Sequence, residues 1–122
     1  MAYAGIQTML LAYKMRKSDK EFEATQIAQK LLTATKDSTS LTEWREQELA
    51  KISEDDPNYD TAVDKIEGQY KLDLKDVAEW EDELEQQQSN CETEIKQLDG
   101  YISSWEQALQ TNVQKAHTYG AQ

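Results

Sequence analysis

This sequence of 122 residues is poor in the residues from which turns and loops are built. It contains one proline and four glycines. Tight turns depend on both, because proline presets one backbone angle and glycine reaches conformations that other residues avoid. The hydrophobic share is 38%, which suits long, half-exposed helices better than a spherical core. The composition therefore predicts an all-α chain with few loops.

Residues that form disulfides and metal sites are also scarce. Cys91 is the only cysteine and His117 the only histidine, so an intrachain disulfide is impossible and a tetrahedral zinc site lacks ligands. On one straight helix these two residues would lie about 39 Å apart, which excludes a Cys–His nucleophilic pair within one chain. We expect no metal and no cofactor.

No apolar run is long enough to cross a bilayer, which takes about 20 residues. The apolar stretch at residues 4–12 is too short, and its basic residues follow it. That order is the reverse of a cleaved secretory signal peptide. We therefore expect no membrane insertion and no standard cleaved signal.

Charge is abundant but unevenly distributed. The formal net charge is -11, yet residues 1–36 carry six basic against three acidic side chains, and the remainder carries seven against 21. An acidic surface of this kind repels nucleic acid and anionic membranes. Binding to nucleic acid is therefore not expected, and basic partners are favoured.

Two acidic clusters are candidates for a catalytic or metal site. Catalytic carboxylates need a concave, partly desolvated setting, so the run at residues 79–85 is interpreted as a solvated helix face. The acidic residues around Pro57 lack the central glycine and terminal glutamate of a calcium loop, so capping is the preferred interpretation. With no nucleophile beside a base, we predict no enzymatic activity and no catalytic, cofactor-binding or metal-binding residues.

Hydrophobic spacing predicts one elongated helical domain over residues 1–122, built from three helices. Apolar residues recur at a four–three spacing through a first helix at about 2–36, which Lys17 and Lys20 interrupt. Polar residues at 37–40 favour a cap, and Ser40 with Glu43 forms a capping box. A short middle helix at about 41–53 is therefore expected, with residues 38–40 forming either a kink or a full turn.

The only proline indicates where the chain reverses. Asp56 is a good N-cap, and Pro57 suits the first position of a helix. We predict a turn at residues 54–58, with these two residues at its end.

A long third helix is predicted from about residue 57 to 119, because this stretch has no proline and no turn cluster. Its apolar residues recur every seven positions, and their companions shift by one residue near Gln86-Gln87-Gln88, as in a stripe that drifts around a helix. The seven-residue series is Val63, Tyr70, Val77, Leu84, Cys91, Leu98 and Trp105.

Folding at the turn gives an elongated antiparallel helical hairpin, packed as a coiled coil. Two helices bury only the narrow seam along which they touch. Large apolar residues also lie outside this seam, and exposed apolar patches usually mark interfaces. The off-seam residues are Met9, Leu11, Met15, Phe22, Leu32, Leu72, Leu74 and Tyr101. Assembly with other copies is therefore expected. The predicted assembly interface comprises Ile6, Met9, Leu10, Tyr13, Ile27, Leu31, Ile95, Leu98, Ile102, Trp105, Leu109 and Val113.

Two features together resemble the EspA-type filament subunits of type III secretion systems and, more loosely, flagellin and needle subunits. They are the run MLLAYKM at residues 9–15 followed by Ser18-Asp19, and a long C-terminal helix whose end, residues 102–120, is nearly uncharged. The resemblance implies that both chain ends pair and stack helically into a hollow tube. The globular insertion of that group is missing, and the acidic turn at Pro57 takes its outward position.

The leading hypothesis is a structural subunit of a secreted, helically assembled filament or tube of many copies. Such a protein would lie outside the cell or on its surface, with a secretion chaperone as a possible partner. The alternative is a cytoplasmic coiled-coil adaptor or secretion chaperone that forms a closed oligomer. A filament subunit polymerises without limit, whereas an adaptor forms an oligomer of one defined mass.

Overall fold

The computed structural model describes the backbone of residues 3–120 and the side chains of residues 4–115. The predicted all-α class is confirmed: helix α1 spans Tyr3–Ala50, helix α2 spans Tyr59–Gly120, and the two pack against each other, with no strand between residues 3 and 120. The chain divides into two compact units, each made of contacting segments. Unit 1 joins Met1–Gln26 to Gln88–Gln122, and unit 2 comprises Ile27–Gln87. That the whole chain is one domain stays a prediction.

Helix α1 continues through residues 37–40, so the predicted break there and the separate short helix at about 41–53 are wrong. Hydroxyl groups in and around this stretch do not cap a new helix. They donate to the carbonyl four residues earlier, from Thr35 to Leu31, Thr39 to Thr35 and Thr42 to Ser38, at 3.1–3.2 Å. Bonds of this kind satisfy a hydroxyl while the main-chain ladder of the helix stays intact.

A four–three spacing of buried and half-buried side chains gives α1 its packing face. A spacing that averages 3.5 residues keeps side chains on one side of a helix. In unit 1 these positions are Ile6, Leu10, Tyr13, Lys17, Lys20 and Ala24. In unit 2 they are Ile27, Leu31, Ala34, Ser38, Leu41, Arg45 and Glu48. Lys17 and Lys20 therefore occupy the packing face.

The packing face of α2 shifts near its glutamine triplet. Leu84 is buried at 2% exposure and Cys91 at 3%. Between them the half-buried residue is Gln88, four positions after Leu84, while Gln87 is exposed. A spacing of four in place of three moves the buried stripe around the helix, at the place where the sequence indicates a drift.

The chain reverses within unit 2, over residues 51–58. Asp56 accepts two hydrogen bonds. Its Oδ1 accepts one from the Asn58 N–H at 2.9 Å, and its main-chain carbonyl accepts one from the Tyr59 N–H at 3.0 Å. The first helical bond runs from the Ala62 N–H to the Asn58 carbonyl at 2.9 Å, so α2 begins two residues after Pro57. Asp56 thus organises the turn, and Asn58 stands at the N-cap position.

Candidate interaction surfaces

The hydrophobic core of unit 1 joins the start of α1 to α2. Ile6, Leu10 and Ile102 are 2%, 6% and 9% exposed. Four partly buried residues pack against them: Tyr13, Trp105, Ala108 and Leu109. Six of the twelve residues predicted for the assembly interface therefore pack together within one chain, and their part in contacts between copies stays a prediction.

The other six residues of that predicted interface divide by exposure. Ile27 is buried in unit 2, at 3% exposure. Val113 is 46% exposed, so it is accessible to a partner. The half-buried ones are Met9, Leu31, Ile95 and Leu98.

Two lysines on the packing face of α1 are bound by carboxylates in unit 1. Lys17 Nζ lies 2.6 Å from Asp99 Oδ1, and Lys20 Nζ lies 2.8 Å from Glu94 Oε2 and 3.0 Å from Glu23 Oε2. Hydrogen bonds to these carboxylates raise the pKa of both lysines. Each ammonium thus stays charged between the helices, and these pairs favour the antiparallel register of α1 and α2.

Cys91 lies beside these charges but is not a reactive thiol. Its side chain is buried. Burial first, and then the nearby Glu23 carboxylate, raises the pKa of the thiol. The thiolate is the nucleophilic form, so Cys91 is a weak nucleophile at neutral pH. The side chain of His117 lies outside the described residues.

A polar cluster joins the helices of unit 2. The guanidinium of Arg45 binds Glu67 at two nitrogens, with Nε at 2.9 Å and 3.0 Å from Oε1 and Oε2 and Nη2 at 2.6 Å from Oε1. It also lies 5.4 Å from the ring centroid of Tyr70, whose hydroxyl is 3.3 Å from Thr42 Oγ1. Hydrogen bonding to Arg45 lowers the pKa of Glu67. Sequence reasoning missed this cluster, although the four–three spacing continues through Arg45.

A groove runs along one side of the helix pair in unit 2. It consists of two depressions of about 470 Å³ and 400 Å³, which share Trp44. We call this feature the Trp44 groove. The first depression is lined by Asp37, Ser40, Leu41, Trp44, Asp73, Asp76 and Val77, and the second by Trp44, Glu48, Lys51, Ile52, Ala62, Lys65, Ile66 and Gln69. Apolar side chains are thus bordered by three aspartates in the first depression and by mixed charges in the second.

The sequence analysis does not predict this groove, because its lining comes from two separate segments of the chain. The lining positions of α1 recur three or four residues apart, from Asp37 through Trp44 to Glu48. Those of α2 recur in the same way from Ala62 to Val77. Matching spacings on two antiparallel segments are the signal from which such a groove could be inferred.

Large apolar side chains are exposed on the outer face of α1 in unit 1. Leu11, Met15 and Phe22 are 62%, 60% and 65% exposed. They lie four and then seven residues apart, so they share one face of the helix. We call these three residues the outer stripe. Met9 and Leu74, also predicted to lie off the seam, are half-buried.

Unit 2 also exposes apolar residues outside its packing face. Leu32 is 63% exposed and Leu72 is 61% exposed. In unit 1, Tyr101 is 52% exposed while its ring lies 5.3 Å, centroid to centroid, from that of Tyr13. Both units therefore present accessible apolar side chains.

Two further depressions, of about 410 Å³ and 270 Å³, lie in unit 1 against its hydrophobic core. Among the described residues no group of three or more His, Cys, Asp or Glu side chains is placed to hold a metal ion. Within the described helices, no segment is both long and apolar enough to cross a membrane. Comparison with protein family models, with characterised proteins and with solved structures gives no match to this chain.

Proposed function

We propose that this chain is a structural subunit that assembles with copies of itself and catalyses no reaction. In this proposal the two helices pack as a coiled-coil hairpin, and faces outside the packing seam join the copies. The assembly is a helical filament or tube on the outside of the cell. The filament form and the location rest on the resemblance to EspA-type subunits, and the self-association rests on the exposed side chains.

The observation that supports self-association is the exposure of large apolar side chains on both helices. Leu11, Met15, Phe22, Leu32 and Leu72 are each at least 60% exposed. Single exposed apolar residues are common on protein surfaces, but several along one helix form a patch of the kind that binds partners. Covering them removes apolar surface from water, which favours association.

Negative-stain microscopy of the purified protein, with light scattering over a concentration series, tests this proposal. We expect fibrous or tubular particles whose mean mass keeps rising with concentration. Discrete small particles of one mass at every concentration would contradict the filament and favour a closed adaptor. A monomer at every concentration would contradict both.

A further inference from the structure

The outer stripe of unit 1 and the Trp44 groove of unit 2 are both apolar surfaces of similar length, and both are bordered by charged side chains. We propose that the outer stripe of one copy docks in the Trp44 groove of a second copy. This inference rests on the proposed function and deepens it, because it names the two surfaces that join the copies.

The dimensions of the two surfaces agree. The outer stripe extends over residues 11–22, which is about 16 Å along a helix. The α1 residues that line the groove extend from Asp37 to Glu48, also about 16 Å along the helix, and Lys51 and Ile52 continue the lining beyond the end of α1. An amphipathic helix that lays side chains spaced by four and seven residues into an apolar groove is a recurring mode of recognition. The groove is therefore at least as long as the stripe.

The apolar surfaces match in kind as well as in length. Leu41, Trp44 and Val77 line the first depression, and Ile52 and Ile66 line the second. Aromatic side chains are enriched at protein interfaces, because they bury a large area at a small cost in conformational entropy. The stripe would bring Phe22, Met15 and Leu11 onto these side chains.

Charge distinguishes this pairing from a contact between two grooves. Three aspartates border the first depression, at positions 37, 73 and 76, so two such grooves would repel each other. The outer stripe is flanked by Lys14 and Arg16. The Lys14 side chain is 56% exposed and forms a long ion pair with Glu106, with Nζ 3.7 Å from Oε1. Arg16 is exposed, and its guanidinium lies 5.5 Å from the Tyr13 ring centroid.

Two of the acidic neighbours of the outer stripe, Glu21 and Glu23, are paired with lysines of the same helix. Glu23 is bound by Lys20 at 3.0 Å, and Glu21 lies 3.7 Å from Lys17. Two cations, Lys14 and Arg16, and one carboxylate, Asp19, are thus exposed beside the stripe, with Lys14 also paired to Glu106. The two cations can approach the aspartates of a second copy. Complementary charges of this kind steer association and fix register.

A contact between two different surfaces leaves one of each unoccupied at the ends of any pair. Heterologous contacts of this type add further copies unless the arrangement closes into a ring. A stripe-to-stripe contact, in contrast, uses the same surface twice and stops at a dimer. The pairing of stripe with groove therefore accounts for growth beyond a pair.

Two double variants of the full chain test the proposal by light scattering and sedimentation velocity. In the stripe variant, Met15→Asp with Phe22→Asp places charges on the exposed face. In the groove variant, Asp37→Lys with Asp76→Lys reverses two exposed rim charges. We expect each to raise the concentration at half-assembly by about tenfold or more, the factor that corresponds to about 1.4 kcal/mol.

Each variant has a matched control in the same unit. Gln97→Asp with Gln107→Asp introduces two carboxylates at exposed positions of unit 1 away from the stripe. Asp82→Lys with Glu83→Lys reverses two exposed charges of unit 2 outside the groove. Both controls should assemble like the unchanged chain, and circular dichroism should show the same helix content in all four variants.

Mixing the two assembly-deficient variants distinguishes the contact from its alternatives. The stripe variant keeps an intact groove and the groove variant keeps an intact stripe, so the mixture should form 1:1 heterodimers and nothing larger. If the groove variant alone still forms dimers, or the mixture forms no heterodimer, the proposed pairing is wrong. Assembly of the unchanged chain would then still support the proposed function, whereas its absence would overturn both.

Discussion

In unit 1 the face of α1 that meets α2 includes two lysines, and carboxylates of α2 bind both. In unit 2 the corresponding face carries Arg45, which binds Glu67. The total charge of the two units differs more. Unit 1 has six basic and seven acidic residues, whereas unit 2 has seven basic and 17 acidic residues, a net charge of −10.

This difference shows that one packing repeat can support two kinds of surface. Both units bury side chains at the same four–three spacing, so the spacing does not determine what each unit can bind. Unit 1 is nearly neutral and presents the outer stripe, whereas the acidic unit 2 presents the Trp44 groove. Like charge disfavours contacts between two copies of unit 2, and a contact between unlike units avoids that cost.

The largest expected effect is a difference in stability between substitutions in the packing seam and in the outer stripe of unit 1. Leu10 is 6% exposed and its neighbour Leu11 is 62% exposed. Leu10→Ala should lower the free energy of unfolding by about 2–4 kcal/mol, because it leaves a cavity in the core. Leu11→Ala should change it by less than about 0.5 kcal/mol. Urea denaturation, followed by circular dichroism at concentrations below assembly, measures both.

On assembly, Leu11→Ala should have the larger direct effect of the two variants. Leu11→Ala should raise the concentration at half-assembly, because it removes part of the outer stripe. Equal losses of stability in the two variants would show that Leu11 packs within the chain in solution, and the distinction between seam and stripe would fail.

Salt should act with opposite sign on the two units. Raising NaCl from 0.1 M to 1 M shortens the Debye length from about 10 Å to about 3 Å. Repulsion among the carboxylates of unit 2 should weaken, and so should the attraction of Lys17 and Lys20 to their partners in unit 1. Amide hydrogen exchange by NMR should therefore show protection rising at residues 62–80 relative to residues 94–112. A uniform change would contradict the contrast in charge.

A smaller effect concerns Glu67 and its pH dependence. Arg45 lowers the pKa of this carboxyl in the folded chain. The ion pair therefore stabilises unit 2 fully above the unfolded pKa of glutamate, and this contribution is lost as pH falls through the lowered folded pKa. Carboxyl-carbon NMR should find the pKa of Glu67 below the ordinary glutamate value.

Arg45→Gln should return the pKa of Glu67 toward its ordinary value, while Lys65→Gln, at an exposed position nearby, should change it much less. An unshifted Glu67 in the unchanged chain would mean that the bidentate pair does not persist in solution.

Much of the fold follows from the sequence. The scarcity of glycine and proline predicts the all-α class, and Pro57 with its acidic neighbours indicates the reversal. The prediction of a break at residues 37–40 is wrong. Cap propensity is a local quantity, and hydroxyl side chains can also donate to carbonyls of the preceding turn in a continuing helix. Ala34 and Leu41 keep the four–three spacing through this stretch, and packing along that face outweighs a local cap.

The candidate surfaces are harder to predict. Leu11, Met15 and Phe22 stand out in the sequence as apolar residues off the seam. The Trp44 groove does not, because its lining comes from two segments whose register depends on three-dimensional packing. The partners of Lys17 and Lys20 are hidden for the same reason, since an interruption of an apolar spacing does not reveal which carboxylate lies opposite.

Carbodiimide cross-linking of mixed ¹⁴N- and ¹⁵N-labelled chains tests the central claim most directly. It joins an amine to a carboxylate in direct contact, and mass spectrometry of mixed-isotope peptides identifies links between copies. The account predicts mixed-isotope links from Lys14 of one copy to Asp37, Asp73 or Asp76 of another. Mixed links found only within like units, with none from Lys14 to these aspartates, would contradict it.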